Sequence, residues 1–98
     1  MNLIIAVIKN DVAAVSALLS KNADPNTVED ICNVTALHHA AQHDSVGAAT
    51  LLINAGSKLD ARTIDGLTPL EIARMHNSGG MIKLLSNVGL IFNGKKVH

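Results

Sequence analysis

Aliphatic and small positions in this chain fall into short stripes separated by polar turns, and the whole pattern repeats. Thr35-Ala36-Leu37-His38-His39-Ala40-Ala41 returns 33 residues later as Thr68-Pro69-Leu70-Glu71-Ile72-Ala73-Arg74, and Leu51-Leu52-Ile53-Asn54-Ala55-Gly56 returns as Leu84-Leu85-Ser86-Asn87-Val88-Gly89. At an offset of 34 the start of the chain fits more faintly, with Leu3-Ile4-Ile5-Ala6-Val7 lying over Leu37-His38-His39-Ala40-Ala41. A period of this length implies a stack of helical hairpins, each burying its apolar face against the next. Three units are expected, at approximately 1–26, 27–60 and 61–92, with 93–98 as a tail, all within a single domain spanning 1–98.

Within each unit the order read from the residues is helix, tight turn, helix, extended loop. Thr35 and Thr68 stand where an N-cap belongs, and Pro69 follows at the first helical position, where a missing N–H costs nothing. Asp11, Ser45 and Ser78 hold the corresponding places before the second helices. Ala40 and Ala73 are small where paired helices should approach, while Leu18/Leu19, Leu51/Leu52 and Leu84/Leu85 put bulk on the second helices. Asn22, Gly56 and Gly89 are expected to end those helices in the left-handed conformation. Gly79-Gly80 opens the last helix at about 1 kcal/mol per glycine relative to alanine, so fraying is expected there.

These residues resemble ankyrin repeats. Asp65-Gly66-Leu67-Thr68-Pro69-Leu70-Glu71-Ile72-Ala73 is similar to that family's D-G-x-T-P-L-H-x-A signature, and Thr35–Ala41 matches T-P-L-H-x-A-A except for Ala36. Asn22-Ala23-Asp24-Pro25-Asn26 and Leu51–Ser57 are similar to the family's closing L-L-L-x-x-G-A-D-x-N. Glu71 replaces the motif histidine in the third unit, and Asn10, Asp44 and Asn77 stand where glycine usually closes the turn between helices. Asn and Asp tolerate positive φ, so those turns should survive. The resemblance implies an all-α ankyrin solenoid of three stacked helix-turn-helix units with protruding β-hairpin-like loops, binding other proteins through loop fingers and inner helices.

Carried onto this chain, the family's contact positions are Ile31, Cys32 and Val34 in one finger and Arg62, Ile64, Asp65 and Leu67 in the next. Two columns on the inner helices join them: Ile8, Gln42 and Met75, then Lys9, His43 and His76. Ile31, Val34, Ile64, Leu67 and Met75 would form the apolar centre of an interface, with Arg62, Asp65, His43 and His76 as its polar rim. The first helix is apolar all round, so Leu3, Ile4, Ile5 and Ile8 are a candidate surface for a homodimer.

Composition narrows the remaining classes. Eight basic residues balance eight acidic ones, leaving no field to attract nucleic acid or an anionic membrane. The apolar fraction is 48%, nearly all aliphatic, with Phe92 the single aromatic residue, so the core must be made of aliphatic layers. Cys32 has no second cysteine to pair with, which suits a reducing, cytoplasmic setting. No membrane-spanning run or leader pattern is read.

Active-site chemistry finds little support. His39 and His43 share a helix face, with Cys32 and Asp44 as further conceivable ligands, but metal sites want three or four converging donors and no second spaced pair exists. Cys32 lacks a third catalytic member, Gly79-Gly80 lacks a phosphate-binding loop pattern, and the carboxylates are not paired for acid–base work. The expectation is a non-enzymatic module without metal or cofactor, whose partner is another protein.

Overall fold

The computed structural model describes residues 2–28 and 31–94, with side chains as far as Val88. Six helices form three hairpins: α1 (Leu3–Ile8) with α2 (Val12–Ser20), α3 (Ala36–His43) with α4 (Val46–Asn54), and α5 (Pro69–Met75) with α6 (Gly79–Gly94). The first helices α1, α3 and α5 stack side by side as an inner row, and α2, α4 and α6 stack as an outer row. No strand forms among the described residues; a single antiparallel bridge joins Val28 and Thr35 at the base of the first finger.

Each inner helix of the second and third hairpins starts with a capping box. The Thr35 hydroxyl accepts the His38 N–H while the His38 ring accepts the Thr35 N–H, and Thr68 and Glu71 repeat the arrangement. Two of the four orphan amides at each helix start are thereby used locally. Pro69 sits at the first position of α5, as expected.

The core lies between the rows. Ala6, Ala40 and Ala73 are fully buried where inner helices approach their partners, and Leu52 and Leu85 fill the outer seam. Leu18, Leu19, Leu51 and Leu84 pack against this core with part of their surface exposed. Burying a leucine contributes about 1.5–3 kcal/mol, so a few such seams hold a short stack together. Among the described residues, no helix is long and apolar enough to cross a membrane.

Asn10, Asp44 and Asn77 all occupy the left-handed region, with φ of 50, 53 and 54°, so the turns close without glycine. Asn22 and Gly56 also take positive φ after α2 and α4.

Three details depart from the sequence reading. Gly89 does not end the last helix, because α6 continues to Gly94. After α4 the chain turns away because Ser57-Lys58-Leu59-Asp60 forms a loop anchored on the first unit: the Asn26 carboxamide donates to the Gly56 carbonyl and accepts the Lys58 N–H, and the Ser57 hydroxyl donates to the Pro25 carbonyl. Leu90-Ile91-Phe92 supplies none of those loop residues, so helix propagation wins. Gly80 is no mere helix weakener either, since a Cβ there would meet Val46 Cγ2 at 2.7 Å. Finally, α1 is not a bare apolar cylinder. Leu3 and Ile4 are buried in the core and Ile8 is half-buried, which leaves Ile5 as the large apolar side chain of that helix facing outward.

Candidate protein-binding surface

The fingers are built from short-range hydrogen bonds. In the second finger the Gly66 N–H donates to the Thr63 carbonyl and the Thr63 N–H to the Leu67 carbonyl, closing a tight loop over Ile64 and Asp65. Gly66 carries a φ of 82°, which a side chain would strain. The Arg62 guanidinium donates back to the Gly66 carbonyl at 2.9 Å, bracing the loop from outside. In the first finger Asn33, with a φ of 58°, takes the place of that glycine. The Ile64 N–H donates to the Cys32 carbonyl at 2.8 Å, so the two fingers are joined through their backbones.

This tie brings together the finger residues singled out above. Ile31 is 86% exposed and Ile64 63% exposed, each one residue or less from the joining hydrogen bond. They do not fold back onto the neighbouring loop. Cys32, Val34 and Leu67 are half-buried, while Arg62 and Asp65 are exposed. Val28, at the base of the first finger, is 48% exposed and adds apolar surface that sequence reasoning did not single out. Its signal was available in the alternation of Val28 with polar Thr27 at a loop start.

The helix-end residues form a second group. Gln42 and His43 close α3, and Met75 and His76 close α5 in the equivalent places; all four side chains are exposed, Met75 at 65%. Because α3 and α5 pack side by side, the two pairs are neighbours across the inner row. The fingers enter at the opposite, N-terminal ends of the same helices. With about 1.5 Å rise per residue, roughly 12 Å of helix separates the two groups. Ile8, third member of its column, is half-buried and Lys9 is exposed.

His38 positions the second finger. Its Nδ1 accepts the Thr35 N–H at 3.0 Å, which leaves Nε2 to donate to the Leu67 carbonyl at 2.9 Å. The ring is buried, and that burial lowers its pKa against the raising effect of the Leu67 and Ala61 carbonyls. Glu71, in the same place on α5, uses its carboxylate to accept the Thr68 N–H at 2.9 Å and the Thr68 hydroxyl at 3.1 Å. Those hydrogen bonds, backbone first, hold its pKa below the usual carboxylate value. Among the described residues no three His, Cys, Asp or Glu side chains converge as a metal site would require.

Comparison with known proteins agrees with this geometry. A family model described as ankyrin repeats (3 copies) matches residues 3–95. This chain belongs to the ankyrin-repeat family. Over 68 residues it is 43% identical to the 2-5A-dependent ribonuclease of Mus musculus, covering 69% of this chain and 9% of the ribonuclease. It is 36% identical over 67 residues to the nuclear factor NF-kappa-B p105 subunit of Mus musculus, covering 67% of this chain and 7% of that protein. The crystal structure of the human ASB11 ankyrin repeat domain superposes with a TM-score of 0.84 at 27% identity, covering 91% of this chain and 40% of that one. The chain therefore spans under a tenth of the curated relatives it matches. Ankyrin repeats are in general protein–protein interaction modules, and that coarse assignment applies to this chain.

Proposed function

We propose that this chain recognises another protein through the joined fingers and the ends of the inner helices. Ile31, Ile64 and Met75 supply the apolar contact, Cys32, Val34 and Leu67 back them from below, and Arg62, Asp65, Gln42, His43 and His76 set orientation at the rim. The observation that carries this reading is the exposure of Ile31, Ile64 and Met75, at 86%, 63% and 65%, on elements fixed by hydrogen bonds and stacking. A support already fixed in place spares the cost of ordering its backbone when a partner covers it, leaving only the side-chain rotamer cost to be offset by apolar contact. The neutral charge balance favours recognition by shape and apolar contact over electrostatic capture of a polyanion. The role is that of an adaptor or an inhibitor, in a reducing compartment such as the cytoplasm, with no chemistry of its own.

The test compares the immobilised wild-type chain with one carrying Ile31→Asp, Ile64→Asp and Met75→Asp, using capture from lysate and quantitative mass spectrometry. The substituted side chains are exposed, so the melting temperature should stay within about 2 °C. Interface hot spots contribute about 2 kcal/mol or more each, so specific captures should fall at least 30-fold. Equal capture by both chains would refute the surface assignment.

A further inference from the structure

One ring holds the bases of both fingers. Nδ1 of His38 accepts the Thr35 N–H at 3.0 Å, and Thr35 is the residue whose bridge to Val28 closes the base of the first finger. Nε2 of the same ring donates to the Leu67 carbonyl at 2.9 Å, at the base of the second. The ring is 1% exposed. Among the described residues the other inner helices have no counterpart to it. Ile4 has no polar atom in its side chain to offer a finger, and Glu71 closes its carboxylate on Thr68. The second finger keeps its own shape through hydrogen bonds from the Gly66 N–H to Thr63, from the Thr63 N–H to Leu67 and from the Arg62 guanidinium to Gly66. Two others tie it to the preceding unit, from His38 to Leu67 and from Ile64 to Cys32.

We propose that one proton on His38 releases the second finger from the stack and uncouples the two fingers, while the helices beneath stay folded. A proton on Nδ1 turns the ring's acceptor into a donor aimed at the Thr35 N–H, so the ring must leave its seat, and its grip on Leu67 goes with it. The seat offers a charged ring little. It lies in the first turn of α3, where the helix dipole already places positive charge. Of the titratable groups on the elements packed around it, His39 stands beside it on α3 and opposes its charge. Glu71 on α5 is committed to Thr68, Arg62 on the finger is turned to Gly66, Lys9 closes the far end of α1, and α4 carries none. Burial holds the latched ring neutral and outweighs the pull of the Leu67 and Ala61 carbonyls, against an ordinary pKa of 6.5 for a ring set free. The latch is at full strength above about pH 6.5 and weakens as the pH falls below it. If Ile31 and Ile64 are the contact, acid releases their partner; the latch itself belongs to the free chain and stands without that reading.

The experiment is amide hydrogen exchange of the free, isotope-labelled chain at about pH 7.5 and 5.5, each rate compared with that of an unfolded chain at the same pH. Protection at Thr35 and Ile64, whose amides are held across the latch, should fall about five- to tenfold, the change that one proton brings to a released ring of ordinary pKa. Protection at Gly66, within the finger, and at Ala49, at the start of α4, should change less than about twofold. In His38→Gln the carboxamide oxygen can take the Thr35 N–H as the Glu71 carboxylate takes that of Thr68, and Ile64 protection should be equal at both pH values. In the wild type, the Ile64 and Leu67 amide shifts should follow the titration midpoint of the His38 ring nitrogens. Unchanged protection at Ile64, a loss shared equally by Gly66 and Ala49, an equal loss in His38→Gln, or finger shifts that follow His39, His43 or His76 instead would overturn the proposal.

Discussion

The Leu67 carbonyl lies 2.9 Å from Nε2 of His38, so the finger carrying Ile64 hangs from the helix of the preceding unit. Nδ1 of the same ring is occupied by the Thr35 N–H, which makes the neutral ring with its proton on Nε2 the form this site holds. Protonating Nδ1 would set two N–H groups against each other in a buried place.

The consequence is a stability that depends on pH in a defined direction. Burial lowers the pKa of His38 from its ordinary value of 6.5, so the unfolded chain binds a proton more readily than the folded one. Stability from this site is complete above about pH 6.5 and is lost as the pH falls below that value. Melting temperatures at pH 7.5 and 5.5 should therefore differ for the wild type, with the lower value in acid. In His38→Gln the melting temperature should be lower at both pH values, because the buried Leu67 brace is weakened at a cost of about 1–3 kcal/mol. The drop on acidification should also be smaller. Parallel acid profiles for the two proteins would assign the loss to other groups.

Adjacent glycines at the start of α6 should respond oppositely to alanine. Gly79 has open space around a built Cβ, whereas Gly80 would meet Val46 Cγ2 at 2.7 Å and Asp44 Oδ1 at 3.2 Å. Gly79→Ala should leave the melting temperature unchanged or raise it, through the helix preference of alanine. Gly80→Ala should lower it, since a stiff valine and the capping carboxylate must both shift. Thermal unfolding followed by circular dichroism at 222 nm decides the pair.

Capping across units makes a second contrast. Asn10→Gly keeps the left-handed turn and removes the acceptor for the Ala48 amide, so it should cost about 1 kcal/mol. Ser45→Ala removes a buried hydroxyl that has no hydrogen-bond partner among the described residues, so it should be neutral or stabilising. Urea denaturation of the two variants against wild type would show the difference as a shift in midpoint at constant slope.

Much of the architecture could be read along the chain because the repeat places equivalent residues in equivalent physical settings. The threonine caps, Pro69, the buried alanines and the positive φ of Asn10, Asp44 and Asn77 all follow from local preferences that a 33-residue period makes visible. What those turn residues do with their side chains was hidden. Asn10 and Ala48 are 38 positions apart, as Asp44 and Met81 are 37, and no local pattern couples a turn to the third amide of the next unit's helix. The recurrence of Gly47 as Gly80 was likewise in the sequence, but its reason, the valine of the preceding unit, lies in the packing. The α6 overrun had a similar origin: Gly56 ends α4 with help from Asn26, and Gly89 is followed by no such loop. For the candidate surface, the sequence named Ile31, Ile64 and Met75. Only coordinates could separate these exposed side chains from Val34 and Leu67, which are half-buried.

The most direct test of the recognition surface is chemical-shift mapping of the isotope-labelled chain on titration with a partner obtained by capture. The account predicts the largest perturbations at Ile31–Val34, Arg62–Leu67, Gln42–His43 and Met75–His76, with α2 and α4 unaffected. Perturbations centred on the outer helices α2 and α4, with the fingers unchanged, would contradict it.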